Sequence, residues 1–183
     1  MEYRPTGPLI LTALFDPASQ ARFEDLRQRH FPPARNFIPA HLTQFHKLPP
    51  DKLESIAATV RREAAACAEM RFRTAGPRSL GRGVAVAIDC PGLAALQVRL
   101  AAGWGDWLSN QDRQGFRPHV TVQNKVDPAT AVQTLEALQK PEALPDGGNV
   151  VALRLWEYLG GPWRLLGESP FGINSAPQRP SNK

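Results

Sequence analysis

Two short stretches decide the reading of this chain: Ala40-His41-Leu42-Thr43-Gln44-Phe45 and Pro118-His119-Val120-Thr121-Val122-Gln123. Each alternates apolar and polar residues, as a half-buried strand does, and the first is bounded by Pro39 and Pro49. Alternate residues of a strand share a face, so His41 and Thr43 point together, as do His119 and Thr121. Leu42, Val120 and Val122 point the other way, into apolar packing. Each stretch therefore presents an imidazole beside a hydroxyl on a rigid support, and each is followed by a helical pattern. That recurrence is the informative feature of the sequence.

Working outward, residues 8–15 form an apolar strand, and Asp16-Pro17 opens a helix that runs to His30 and stops before Pro32-Pro33. Leu53, Ile56, Ala57, Val60, Ala64 and Cys67 recur at spacings of three and four and predict an amphipathic helix. Strands are expected near 69–75 and 82–89, with a turn over 76–81, then a helix over 93–108, a strand over 117–125 and a helix over 128–139. A hairpin follows, with strands at 150–159 and 163–167 around Gly160-Gly161-Pro162. Several neighbouring strands are joined by short turns. The mix predicts an α+β fold of mostly antiparallel sheet with outer helices, not a doubly wound parallel sheet. Residues 1–174 read as one domain, and 175–183, without apolar periodicity, as a flexible tail.

The chain has 183 residues, 42% of them hydrophobic and 21% charged, with a net charge of +5. These values describe a globular chain and exclude disordered and fibrous classes. No apolar run approaches the roughly 18 to 20 residues of a membrane helix, so a cytoplasmic location without membrane contact is expected. The positive balance hints at an anionic partner such as nucleic acid or nucleotide. Two cysteines, Cys67 and Cys90, are too few for a disulfide framework and lack zinc-site spacing. His46, five residues from His41, falls on the opposite strand face in an unbroken strand, which argues against a shared metal; none is expected. The glycine-rich segment 76–83 lacks the Gly-Lys-Ser/Thr ending of a phosphate loop and reads as a turn.

Imidazole titrates near neutral pH, with an ordinary pKa of about 6.5. Two imidazoles on opposite sides of a bound group can serve as general base and general acid in one displacement. Phosphodiester cleavage requires that pairing, because the incoming hydroxyl loses a proton while the leaving oxygen gains one. Threonine hydroxyls beside them can hold non-bridging phosphate oxygens.

On these two motifs the sequence resembles the 2H phosphoesterase superfamily, in particular its bacterial 2′-5′ RNA ligase and cyclic phosphodiesterase branch. The resemblance spans about residues 8–169 and is sharpest at the motifs. It implies two related lobes around a central cleft, with His41 and His119 as the acid–base pair and Thr43 and Thr121 as phosphate-oxygen donors. It also implies action on RNA 2′,3′-cyclic phosphate ends or 2′-5′ linkages, without a cofactor. His119 is expected as base and His41 as acid; in ligation a 5′-hydroxyl replaces water and no ATP is needed. If the second strand runs unbroken, Gln123 and Lys125 extend the row of His119 and Thr121, and Arg117 shares its parity; all three are candidate substrate contacts. Phe15, Tyr158 and Trp163 are aromatics able to stack on a base, with core or hairpin packing as the competing assignment. The expected partner is RNA or a cyclic nucleotide, bound by a monomer. The alternatives are phosphodiester cleavage on a small metabolite such as an ADP-ribose cyclic phosphate, and RNA binding without catalysis.

Overall fold

A computed structural model describes residues 3–172; the tail expected at 175–183 lies outside them. Seven strands and five helices alternate along the chain: β1 (Leu9–Phe15), α1 (Pro17–His30), β2 (Leu42–Leu48), α2 (Leu53–Ala65), β3 (Met70–Ser79), β4 (Gly83–Asp89), α3 (Pro91–Trp104), α4 (Asn110–Arg113), β5 (His119–Asn124), α5 (Pro128–Leu138), β6 (Gly147–Tyr158) and β7 (Trp163–Pro170). Caps explain the helix starts. Asp16 accepts from the Ser19 amide ahead of α1, and Asp127 from the Thr130 amide ahead of α5, each with proline in the first turn. Helix α3 stops at Trp104 because Gly105 takes a positive φ of 27°, and Gly105–Trp107 form a 3-10 turn where the sequence predicted continued helix.

All strand pairings are antiparallel, in the order β1-β2-β5-β4-β3-β6-β7, and β1 also pairs with β6. The long strand β6 makes this possible. Its first residues pair with β3 (Met70↔Val150 to Arg73↔Gly147), and the remainder lies between β1 and β7. The sheet thus has two halves, β2-β1-β6-β7 and β5-β4-β3-β6, which share β6 and meet again where β2 pairs with β5. This is the mixed α+β, antiparallel architecture the sequence predicts. Strand β3 runs further than expected, through Ser79, because Gly76 adopts a φ of 90° and absorbs an extra residue between the pairs Thr74↔Ile88 and Pro77↔Val86.

Helix α1 packs on β1, β5 and β6, α5 on β3 and β4, and α2 on β6 and β7. Beneath them a continuous core includes Leu9, Leu11, Leu42, Phe45, Val86, Val120 and Leu153. Phe15, Phe23 and Phe72 cluster at its centre, with ring centroids 4.8 to 6.1 Å apart. Cys67 and Cys90 are buried free thiols. No helix among the described residues is long and apolar enough to cross a membrane.

Candidate active site

The two motif strands are adjacent in the sheet and pair at Leu42↔Val120. Carrying that antiparallel register one residue either way sets His41 opposite Thr121 and Thr43 opposite His119. Leu42 and Val120 are fully buried in the core, so the four polar residues project from the opposite face. On the next strand, the partners of Thr121 and His119 are the small residues Ala85 and Ala87.

Both histidines are held in the same way. His41 Nδ1 lies 2.8 Å from the Pro39 carbonyl, and His119 Nδ1 lies 2.8 Å from the Arg117 carbonyl. A carbonyl only accepts, so each Nδ1 carries the proton and each Nε2 keeps its lone pair. Burial pushes the His41 pKa down to about 4, outweighing the Pro39 carbonyl, with help from the charges of Arg27, His119 and His46. Burial also lowers His119, aided by Arg78 and His46 and opposed by the Arg117 carbonyl. The His41 ring packs on Trp163 at 4.7 Å between centroids. Trp163 in turn meets Trp156 edge-on, and the Trp156 indole N–H donates to Thr12 at 2.9 Å. Tyr158 is the cross-strand partner of Trp163 and is exposed.

Beyond Leu42–Val120, β2 and β5 splay, and a groove of about 510 Å3 opens between them. Thr43, Gln44 and His46 line one side, Phe116, Arg117 and His119 the other, with Arg78 near the end of β3 and Leu80 of the β3–β4 turn also in the lining. A cavity of about 620 Å3 between α2 and β7 is larger but lies away from both motifs.

Several sequence-predicted contacts are corrected here. Phe15 is 1% exposed within the aromatic core and offers no face to a ligand. Gln123 is also buried, because β5 carries a bulge: Thr121 pairs with Ala85 but Gln123 with Val84, leaving Val122 as an extra residue. The bulge turns Gln123 to the core face, where it donates to the Thr134 hydroxyl at 2.8 Å. The row ends there. Lys125 lies past the end of β5, exposed, with a left-handed φ of 58°. Arg117 is exposed on the groove wall.

A second bulge brings in a residue the parity argument set aside. Thr12 pairs with Thr43 but Leu11 with Phe45, so Gln44 is the extra residue in β2. The slip returns His46 to the face of Thr43 and into the groove. Its Nδ1 lies 3.0 Å from Oδ1 of buried Asp112, which also accepts from the His46 amide and the Ser109 hydroxyl. Helix α1 supplies the other unforeseen group. Gln20, Glu24 and Arg27 share one helical face. Gln20 donates to the Ala40 carbonyl, Glu24 accepts from the Ala40 amide, and Arg27 donates to the Thr121 carbonyl at 2.7 Å and to Asn36. One helix thus grips both motif strands from behind. The spacing of four and three was visible in the sequence; its partners were not. Among the described residues, no cluster of three or more His, Cys, Asp or Glu side chains is placed to hold a metal.

The model of a protein family described as the 2′-5′ RNA ligase superfamily matches residues 15–162. Among solved structures, TT0787 of Thermus thermophilus is similar at 18% identity and a TM-score of 0.64, over 90% of this chain and 98% of that one. A structure described as a phosphoesterase is 19% identical, with a TM-score of 0.56, over 91% and 99% of the two chains. LigT of E. coli, in complex with 3′-AMP, is 15% identical with a TM-score of 0.53, over 91% and 99%. At these identities the likeness is one of fold. No curated protein matches the chain at a significant level.

Proposed function

The chain belongs to the 2′-5′ RNA ligase superfamily, and from that premise we propose that it is a metal-independent phosphoesterase acting on RNA 2′,3′-cyclic phosphate ends, with His41, Thr43, His119 and Thr121 as its catalytic residues. What supports this most is the diagonal pairing of the two motifs, an imidazole and a hydroxyl from each strand on one face of the sheet, with each Nδ1 held by a carbonyl so that Nε2 is the free nitrogen.

The histidine roles follow from their environments and reverse the sequence-based order. We assign His41, whose pKa burial holds near 4 and which is neutral at physiological pH, as the base, and His119, also lowered by burial, as the acid. His41 Nε2 takes a proton from water as its oxygen attacks phosphorus. The bond from phosphorus to one ribose oxygen breaks, and protonated His119 delivers its proton to that oxygen. Thr43 and Thr121 hydroxyls donate to the non-bridging oxygens, and Arg117 balances phosphate charge from the wall. A 5′-hydroxyl in place of water turns the same steps into formation of a 2′-5′ linkage, with the cyclic ester supplying the energy. All four groups come from one chain, so a monomer suffices.

The test is product analysis with a short RNA ending in a 2′,3′-cyclic phosphate, in EDTA, comparing wild type with His119→Ala. Ring opening by wild type alone supports the reading, and the product phosphate position identifies the leaving oxygen. RNA binding with no turnover of any cyclic phosphate overturns it in favour of a binding protein. Turnover restricted to small cyclic nucleotides replaces RNA as the substrate.

A further inference from the structure

Gln44 is 2% exposed, and neither its Nε2 nor its Oε1 meets a hydrogen-bond partner among the described residues. Buried polar atoms of native proteins are nearly always paired, and unpaired ones carry the full cost of lost hydration. Gln44 sits at the β2 bulge and is one of the residues lining the groove that begins at Thr43 and His119, its carboxamide buried in the wall. Phe116 and Leu80 are the groove's apolar side chains, Arg78 and Arg117 place positive charge at the edge, and Gln97, Gln111, Gln114 and Asp112 add further polar groups to the lining. His46 stands beside Gln44 with its Nδ1 engaged by Asp112.

We propose that this groove seats the nucleobase of the nucleotide whose phosphate is attacked, with the Gln44 carboxamide pairing to the base's donor–acceptor edge. The inference rests on the phosphoesterase reading and names what that site recognises. A nucleobase has the anisotropy the groove presents: apolar faces, and an edge carrying a donor next to an acceptor. A carboxamide offers the complementary pair and can turn to suit either order. A second phosphate is a poorer fit, because the unpaired buried group is neutral, one of its two atoms only accepts, and the Asp112 carboxylate belongs to the same lining.

The experiment compares kcat/KM for the four nucleoside 2′,3′-cyclic phosphates with that for the base-free methyl riboside 2,3-cyclic phosphate, using wild type and Gln44→Leu, together with thermal melting. Wild type is expected to prefer its best nucleotide over the base-free ester by roughly tenfold or more, as two hydrogen bonds allow. Gln44→Leu should lose that preference and melt no lower than wild type, since it removes two unpaired buried atoms. Equal wild-type rates on all esters, or an unchanged preference in Gln44→Leu, overturns the inference and leaves the catalytic reading standing. If Gln44→Leu fails to fold, the near-isosteric Gln44→Glu replaces it; a changed ranking of the four bases supports the subsite and an unchanged one overturns it. If wild type opens no cyclic ester, the catalytic reading fails, and calorimetry with adenosine 3′-monophosphate decides the subsite: roughly tenfold weaker binding by Gln44→Leu supports it, equal binding overturns it.

Discussion

Leu42 and Val120 are direct cross-strand partners, both without exposed surface, at the seam where the two halves of the sheet rejoin. Every relationship among His41, Thr43, His119 and Thr121 follows from that register, because a slip of one residue in either strand would turn that strand's histidine and threonine toward the core. Truncation at the seam therefore affects both stability and alignment. Leu42→Ala should lower unfolding stability by about 2 to 5 kcal/mol, measured by urea denaturation. The folded fraction should also turn over cyclic phosphate more slowly than wild type. Destabilisation with full specific activity would show that the seam does not set the motif geometry.

The histidine pair makes a second prediction. His41→Ala and His119→Ala should each reduce kcat by roughly 10²- to 10⁴-fold on a 2′,3′-cyclic phosphate, with smaller effects on the affinity for product. Because the proposed mechanism uses both groups in one displacement, the double variant should be little worse than either single one. Rates multiplying independently in the double variant would argue against a shared step.

The pH profile follows from the same two groups. Activity needs the base neutral and the acid protonated, and both pKa values lie below the ordinary histidine value. The profile of kcat/KM should be a bell displaced to the acid side, with its acid limb near 4 and its alkaline limb below about 6.5. Replacing Trp163 with Ala opens His41 to water and should move the acid limb upward. A symmetric optimum above pH 7 would contradict these environments.

The pattern of what could be read in the sequence is physical. Strand alternation and helix periodicity are local, and they placed nearly every element and the faces of His41, Thr43, His119 and Thr121. Bulges are not local signals. The extra residues at Gln44 and Val122 answer to the neighbouring strands, and they sent His46 into the groove and Gln123 out of it. Phe15 was misjudged because an aromatic at a strand end looks the same whether it meets a ligand or Phe23 and Phe72. Nothing local distinguishes Arg27 from the other charged residues of α1, and only the tertiary fold shows it buried against the Thr121 carbonyl.

Arg27 supplies the fourth prediction. Its side chain is 2% exposed, and the guanidinium lies 4.2 Å over the Phe31 ring and donates to Asn36 and to the Thr121 carbonyl. Burial lowers its pKa from the ordinary value. It acts as a positioning residue for the second motif. Arg27→Met should leave the Thr121 carbonyl and Asn36 unpaired, at a cost of about 1 to 3 kcal/mol, and lower kcat more than it raises KM. Arg27→Lys should recover charge but not activity, because an ammonium cannot reproduce the planar fork. Full rescue by lysine would show that only the positive charge matters.

Asp112 and His41 act on acid stability in separate windows. The folded pKa of His41 is below its unfolded value of about 6.5, so the folded state binds fewer protons there and stability falls as pH drops from about 6.5 toward 4. For Asp112, burial alone would raise the carboxyl, but hydrogen bonds from His46 and Ser109 outweigh it and hold it below the usual range. Its contribution is therefore fully present above about 4 and is lost as pH falls further. Asp112→Asn should flatten the stability curve below about pH 4 and leave the slope above it, which belongs to histidine, largely intact. Asp112→Ala should also cost about 1 to 3 kcal/mol at neutral pH by orphaning the His46 amide and the Ser109 hydroxyl. Urea unfolding of wild type and both variants at about pH 3.5, 5 and 7 checks the assignment. An unchanged slope below about pH 4 in Asp112→Asn would mean that other carboxylates carry the acid transition.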